Sequence, residues 1–208
     1  MGQEIDRCTF SKDDQRQFEQ RLRNETGQLE EWFQRGAFAS QPGTCGLELE
    51  GWLLDLNSDP APENEAFLKA VNTPLVVPEL SRFNFEINTT PQPPGEHMFR
   101  LMHDQLSSTW AHCEQSAAAL GLRPLHIGTL PTLRDNVMTL ANMSPRQRYY
   151  ALNQQILRSR HGSPLVIDIK GPRDHLHVTH KDVMTEAATT SLQIHLELNS
   201  ASAVRFYN

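Results

Sequence analysis

Residues 44–54 constrain the fold more than any other stretch, because polar and apolar side chains alternate there as in a half-buried strand. One face carries Leu47, Leu49 and Leu53, and the other carries Glu48, Glu50 and Trp52. Two carboxylates therefore stand about 7 Å apart on one face, where they repel each other unless a cation lies between them. Oxygen-only ligands of this kind suit magnesium or manganese. The alternative is the solvated outer face of an amphipathic strand.

Residues 81–89 repeat the alternation. One side carries Phe83, Phe85 and Ile87, and the other carries Asn84, Glu86 and Asn88. Glu79 comes just after Pro78, where a loop enters this strand. If the two strands pair, Glu86 converges with the acids of residues 44–54 on one polar face, and Glu79 lies at its rim. The alternative is an antiparallel sheet with one wet face and no site, which is common.

A third alternating stretch covers residues 189–198. Its apolar side is Leu192, Ile194, Leu196 and Leu198, and its polar side is Gln193, His195 and Glu197. Polar groups aligned in this way can hold a cation, a phosphate or a substrate amide.

Apolar residues at helical spacing predict helices between these strands. The helices run from Ser11 to about Gly36, from Glu63 to Val71, from Glu96 to Leu120, and onward from Pro145 as first residue. Phe18 and Trp32 fall at helical spacing, and Phe99, Met102 and Cys113 lie on one side of their helix. Tyr149, Leu152 and Ile156 are expected to face inward. A break is predicted at Gln41-Pro42-Gly43, and short strands are predicted from Arg123 to Leu130 and from Leu165 to Ile169.

Residues 174–180 carry three histidines. His175 and His177 share a strand face and His180 follows in the turn, and three imidazoles would suit zinc or nickel. An exposed hairpin is the alternative, because the segment lies between two breakers.

A chain of 208 residues is long enough for one sizeable core, so we expect a single domain over residues 1–208. The net charge of -6 and the lack of a basic run argue against nucleic acid as a partner. Cys8, Cys45 and Cys113 are widely spaced, which predicts reduced thiols in a cytoplasmic protein. No apolar run approaches the ~20 residues of a membrane span, and the polar N-terminus does not resemble a signal peptide.

The order of these motifs resembles the glutamate–cysteine ligase superfamily, in particular the GCS2-type carboxylate–amine ligases. Gly46-Leu47-Glu48-Leu49-Glu50 matches that family's G-x-E-x-E strand. The stretch from Glu79 to Glu86, ahead of Thr89-Thr90-Pro91, matches its second acidic element. The remaining matches are Gly128-Thr129-Leu130-Pro131-Thr132, Arg148-Tyr149, and the strand Thr190-Ser191-Leu192-Gln193-Ile194-His195-Leu196.

This resemblance implies an α+β fold similar to glutamine synthetase, with a curved, mainly antiparallel sheet forming a funnel and helices on its outer face. It implies an enzyme that uses ATP and Mg²⁺ (or Mn²⁺) to activate glutamate as an acyl phosphate, which an amine such as cysteine attacks. Carried over by position, the catalytic residues are Glu48, Glu50 and Glu86, the metal ligands are Glu48, Glu50, Glu79 and Glu86, and the cofactor-binding residues are Gln193 and His195. Repulsion among the acids should raise at least one pKa, and magnesium should stabilise the fold while releasing few protons at pH 7.

Family chains are considerably longer, and residues 1–208 correspond to their N-terminal half. We therefore expect a fragment of a larger ligase, a natural half-length product, or a protein that uses the fold differently. One rival function is a non-catalytic module that binds a nucleotide or an amino acid. Another is a metal-storage or sensing protein built on His175, His177 and His180. The sequence selects neither the amine nor an oligomeric state.

Overall fold

The computed structural model describes residues 3–38 and 43–208. Its helices are α1 (Lys12–Arg35), α2 (Asn64–Val71), α3 (Met98–Ala118), α4 (Gln147–Ser159) and α5 (Ala203–Tyr207). Its strands are β1 (Cys45–Leu54), β2 (Val76–Pro78), β3 (Asn84–Asn88), β4 (Arg123–Leu125), β5 (Leu165–Lys170), β6 (His175–His180) and β7 (Leu192–Leu196). Helices and antiparallel strands together make an α+β architecture, as expected.

Strand β1 is the centre of an antiparallel sheet of five strands. Strand β3 pairs along one edge of β1, while β7 and β4 pair with its first and last residues along the other edge. Strand β2 extends the sheet beyond β3, and β5 and β6 form a separate hairpin. The sheet is open within the described residues. The three strands with alternating polar side chains are therefore neighbours, and the predicted pairing is confirmed.

The apolar face of the sheet packs against α2 and α3. Leu53, Phe85 and Ile87 of the sheet are fully buried in one cluster with Phe67 of α2 and Cys113 of α3. Burying a side chain of this size contributes roughly 1.5–3 kcal/mol. A slip of one residue would turn this whole set to the opposite face, so the cluster fixes the register of β1 and β3.

A second core lies on the opposite face, at the C-terminal end of β1. Trp52 stacks on Phe83 with 5.7 Å between ring centroids, and its Nε1 donates a hydrogen bond to the carbonyl of Ile127 at 2.9 Å. Glu48 and Glu50 precede Trp52 on this same face. The core therefore ends where the polar side chains begin.

Helix α1 has the predicted bounds, and its apolar side chains are not buried. Ser11 and Asp14 form a reciprocal capping box, and Gly36 ends the helix in the left-handed conformation at φ 61°. No residue of α1 is buried, and Phe18 is 64% exposed. Apolar periodicity is a local property, whereas burial of the helix face depends on the tertiary structure. The predicted break involves Gln41 and Pro42, which lie outside the described residues.

Several predictions about burial or extent were wrong. Leu152 and Ile156, expected to face inward, are exposed. Phe99, in the first turn of α3, is 73% exposed, and Met102 is the first buried residue of that helix. The strand predicted from residue 123 to 130 ends at Leu125, where its pairing with β1 stops.

Helix α4 begins at Gln147 rather than at Pro145. The amide of Ser144 donates to the carbonyl of Leu80 at 2.8 Å, and Arg146 stays extended at φ -118°. This hydrogen bond holds Ser144 against the loop after β2, so the helix begins two residues later than predicted.

No helix in the two described ranges is long and apolar enough to cross a membrane. Cys8, Cys45 and Cys113 are free thiols. Burial raises the pKa of Cys113 to about 12, so this thiol packs as an apolar group and is not a nucleophile.

Candidate active site

Three carboxylates meet on the polar face of the sheet. Glu86 of β3 lies directly opposite Glu50 of β1, and Glu79 follows β2, whose Val77 pairs with Glu86. One oxygen from each of these acids lies within 4.8 Å of the others. We call Glu50, Glu79 and Glu86 the acid cluster.

Glu86 is the most deeply placed member, with a fully buried side chain. Its Oε1 accepts a hydrogen bond from Nδ2 of Asn88 at 2.7 Å. Its buried Oε2 finds no donor among the described residues unless Glu79 is protonated. Leaving such an oxygen unpaired costs about 1–3 kcal/mol or more, so this atom needs a proton or a cation.

Burial and like charge raise the pKa values of the cluster. Burial, ahead of the hydrogen bond to Glu86 and the charges of Glu86 and Glu50, raises the pKa of Glu79 to about 8. Burial also raises the pKa of Glu86, and the charges of Glu48 and Glu50 act in the same direction. Without a cation, Glu79 therefore holds its proton at neutral pH and donates it toward Glu86.

Residues at the start of β7 hold Glu50 in place. Its Oε2 accepts from the amide of Ser191 at 2.8 Å, and its Oε1 accepts from the Ser191 hydroxyl and from Nε2 of Gln193, both at 3.0 Å. Gln193 thus lies where its polar alternation placed it, and it contacts an acid of the cluster directly.

Glu48 lies on the same face but outside the acid cluster. It sits opposite Asn88 on one side and Gln193 on the other. Its Oε2 is 3.1 Å from Nε2 of His195. The structure therefore brings together three of the four acids predicted as metal ligands and pairs the fourth with His195.

Two residues beside the cluster were not predicted as site residues. Glu186 lies in the 3₁₀ turn Met184–Ala188 and lines a small cleft with Glu50 and Glu79. Burial and then the charge of Glu50 raise the pKa of Glu186. Tyr149, expected to face inward, packs against the core around Trp52, and its hydroxyl donates to the carbonyl of Pro78 at 3.2 Å. Burial and the charge of Glu79 raise the pKa of Tyr149 to about 12.

The three histidines of residues 174–180 do not form one group. His175 and His177 share a face of β6, whereas His180 points to the other side and lies 2.8 Å from Asp135. The third position beside His175 and His177 is taken by Asp168. The three-imidazole site was therefore wrong, and the segment forms one strand of a largely exposed hairpin.

Residues 44–206 match the model of glutamate-cysteine ligase family 2, GCS2. The chain belongs to this family. The GCS2 match includes the acid cluster, Glu48 and both polar residues of β7, and it leaves out α1. Membership relates the chain to ATP-dependent carboxylate–amine ligases at the level of the family. Compared individually with curated proteins, the chain has no significant match.

The GCS2 family generally uses ATP and Mg²⁺, and the residues present fit such a cation. The donor set of the acid cluster is oxygen only, which suits Mg²⁺ or Mn²⁺. Glu86 offers a buried oxygen without a fixed donor, and burial, followed by the hydrogen bond to Glu86 and the charges of Glu86 and Glu50, raises the pKa of Glu79, so a cation would favour its charged form.

Proposed function

We propose that this chain joins the γ-carboxylate of glutamate to a small amine such as cysteine, with cleavage of ATP and with Mg²⁺ or Mn²⁺ bound at the acid cluster. The observation that carries the proposal is the approach of Glu50, Glu79 and Glu86 to within 4.8 Å on one face of a GCS2-family sheet. Under this proposal residues 1–208 act as one cytoplasmic domain, whose sheet curves into a funnel like that of glutamine synthetase.

The reaction consists of two displacements. An oxygen of the substrate carboxylate attacks the γ-phosphorus of ATP, the bond to the bridging oxygen breaks, and ADP leaves. The amine then attacks the acyl carbon, inorganic phosphate leaves, and the nitrogen loses a proton. Both steps need positioning and charge neutralisation more than a protein nucleophile.

The acid cluster would hold the cation that neutralises phosphate charge when it is bound. Ser191 and Gln193 orient both oxygens of Glu50 before any ligand arrives. Asn88 fixes one oxygen of Glu86 in the same way. Preorganised groups of this kind need no rearrangement during the reaction.

His195 and Glu48 extend the polar face beyond the cluster. Nε2 of His195 lies 3.1 Å from Oε2 of Glu48, which places an imidazole beside this acid. We assign Glu48 to a further cation or to the substrate, in line with its place in the G-x-E-x-E strand. Gln193 and His195 would then border the nucleotide.

The test is release of ADP from Mg-ATP by the purified 208-residue chain, with glutamate present and amines added one at a time. Glu50→Gln removes a ligand charge, and Glu65→Gln, at an exposed position of α2, is the matched control. Release should require glutamate and one amine, should vanish in Glu50→Gln, and should persist in Glu65→Gln. Binding of ATP without release for any amine would leave two cases, a fragment that needs its other half or a non-catalytic binding module. The same assay on the gene's longest reading frame separates them, and no release there contradicts the ligase.

A further inference from the structure

The β5–β6 hairpin gathers a second group of metal-binding side chains on one face. Asp168 of β5 lies directly opposite His177 of β6, and His175 is two residues along the same strand and so on the same face. One ligand atom from each of the three lies within 4.8 Å of the others. This group shares no residue with the acid cluster.

The two imidazoles already approach different oxygens of one carboxylate. Nε2 of His175 lies 2.5 Å from Oδ1 of Asp168, and Nδ1 of His177 lies 3.6 Å from Oδ2. The imidazole rings are 6.2 Å apart with their planes at 68°, so they do not stack on each other. All three side chains are about half exposed, which gives an ion and its waters access.

We propose that Asp168, His175 and His177 bind a transition-metal ion of the Zn²⁺ type, with water completing the coordination. Two imidazoles and a carboxylate are the donors found in open zinc sites, and imidazole is a poor ligand for Mg²⁺. Lys170 lies opposite His175 on the same face. Its positive charge repels cations, so an ion that the imidazoles bind only weakly, such as Mg²⁺, is disfavoured further.

The ion would link the two strands of the hairpin. An isolated two-stranded hairpin is only marginally stable in water, and most side chains of β5 and β6 are exposed. Because the ligands come from both strands, bound metal should suppress opening of the hairpin. If Asp168 only accepts its hydrogen bond from His175 and lies near His177 without binding metal, zinc should have no effect on the hairpin.

The test is calorimetric titration of the tag-free full chain with Zn²⁺ in millimolar Mg²⁺, which occupies oxygen-only sites. We expect one ion per chain. Loss of a partner outside the coordination sphere already weakens metal binding about 10- to 100-fold, so His175→Ala and His177→Ala should each weaken it at least about tenfold. His103→Ala removes an exposed histidine that also lies beside an acid, Asp104, and should leave the affinity unchanged.

Two further readouts do not depend on activity. Zinc should slow hydrogen exchange at the amides of β5 and β6, and its affinity should fall at acid pH because only neutral imidazole ligates a metal. Glu50→Gln should bind zinc normally, which separates this proposal from the ligase proposal. The proposal is overturned if the wild-type chain shows no binding at micromolar zinc. It is equally overturned if affinity survives both histidine substitutions, or falls as far in His103→Ala.

Discussion

Glu86 and Glu50 face each other as directly opposed residues of β3 and β1. Like charges at such positions destabilise a sheet, and Glu86 is in addition fully buried. The pairs on either side, Phe85 with Gly51 and Ile87 with Leu49, belong to the apolar face that fixes the register. Packing on one face of the sheet therefore keeps two acids together on the other, where a cation would relieve their repulsion.

Magnesium should raise the thermal midpoint of the chain. At ten times its Kd a ligand stabilises the folded state by about 1.4 kcal/mol, or about 3–5 °C for a chain of this size. Glu86→Gln should raise the midpoint of the metal-free protein, because it removes a buried charge, and should abolish the response to magnesium. Scanning fluorimetry with and without millimolar MgCl₂ measures both, with Glu65→Gln as the unaffected control. A wild-type midpoint indifferent to magnesium would contradict a metal site at the acid cluster.

Without divalent cations, stability should fall as the pH rises from about 4.5 to about 8. The pKa of Glu79 is raised from 4.5 to about 8, so in this window the folded state binds its proton more tightly than the unfolded state. Glu79 therefore does not lower the free energy of unfolding below pH 4.5, and it lowers it by the full amount above about pH 8. Urea denaturation in EDTA at several pH values should show this slope, and Glu79→Gln should flatten it. An equal slope in the variant would place the titrating group elsewhere.

The same pKa revises the proton count expected from the sequence. Glu79 is protonated at pH 7. A cation that displaces this proton should therefore release about one proton for each ion bound, which is more than the small release expected from the sequence. Magnesium titrations in two buffers of different ionisation enthalpy measure that number. Glu79→Gln should release close to none, and a wild-type value near zero would mean that the cation leaves the proton on Glu79.

The polar face of the sheet could be predicted because it rests on alternation, which is local. Residues two apart in a strand share a face, so Glu50, Glu86 and Gln193 could be assigned before their strands were known to pair. Glu186 could not, since it lies in a 3₁₀ turn without alternation and reaches the cleft beside Glu50 only through the tertiary fold. The metal-binding and catalytic roles of these residues stay predictions.

Periodicity shows which side chains share a face but not what covers that face. Phe18 of α1 and Ile194 of β7 fall on regular apolar faces, yet they are 64% and 63% exposed. His180 shows that a shift of one position along a strand moves a side chain to the opposite face. It lies one position out of phase with His175 and His177, so it points away from them into the body of the protein, where it is 8% exposed.

His195 should act as a positioning residue for Glu48. Nε2 of His195 and Oε2 of Glu48 are 3.1 Å apart with His195 more than half exposed, and an exposed pair of this kind contributes about 0.2–1 kcal/mol, which corresponds to at most about fivefold in rate. His195→Ala should lower kcat by this amount with a smaller effect on the KM for ATP. His195→Asn keeps a donor and should recover most of the rate. Steady-state kinetics of the two variants therefore distinguish orientation of Glu48 by that donor from the effect of a smaller side chain at position 195. If Asn is as damaging as Ala, the donor at this position is not what matters.

Gly51 links the packing of the sheet to the geometry of the acid cluster. A Cβ at this position would lie 2.7 Å from Cζ of Phe85, which is fully buried and has little room to move. Gly51→Ala should therefore lower the free energy of unfolding by about 1–3 kcal/mol. Because Phe85 precedes Glu86 in β3, the displaced strand should also weaken the response to magnesium.

Gly46→Ala is the matched control in the same strand, since the atom nearest to its Cβ would be 3.9 Å away, in ordinary contact. Urea denaturation should place this variant within about 0.5 kcal/mol of the wild type. Equal stability of the two variants would show that the Phe85 ring moves aside without cost, and the opposed acids would then owe their register to something other than the apolar face.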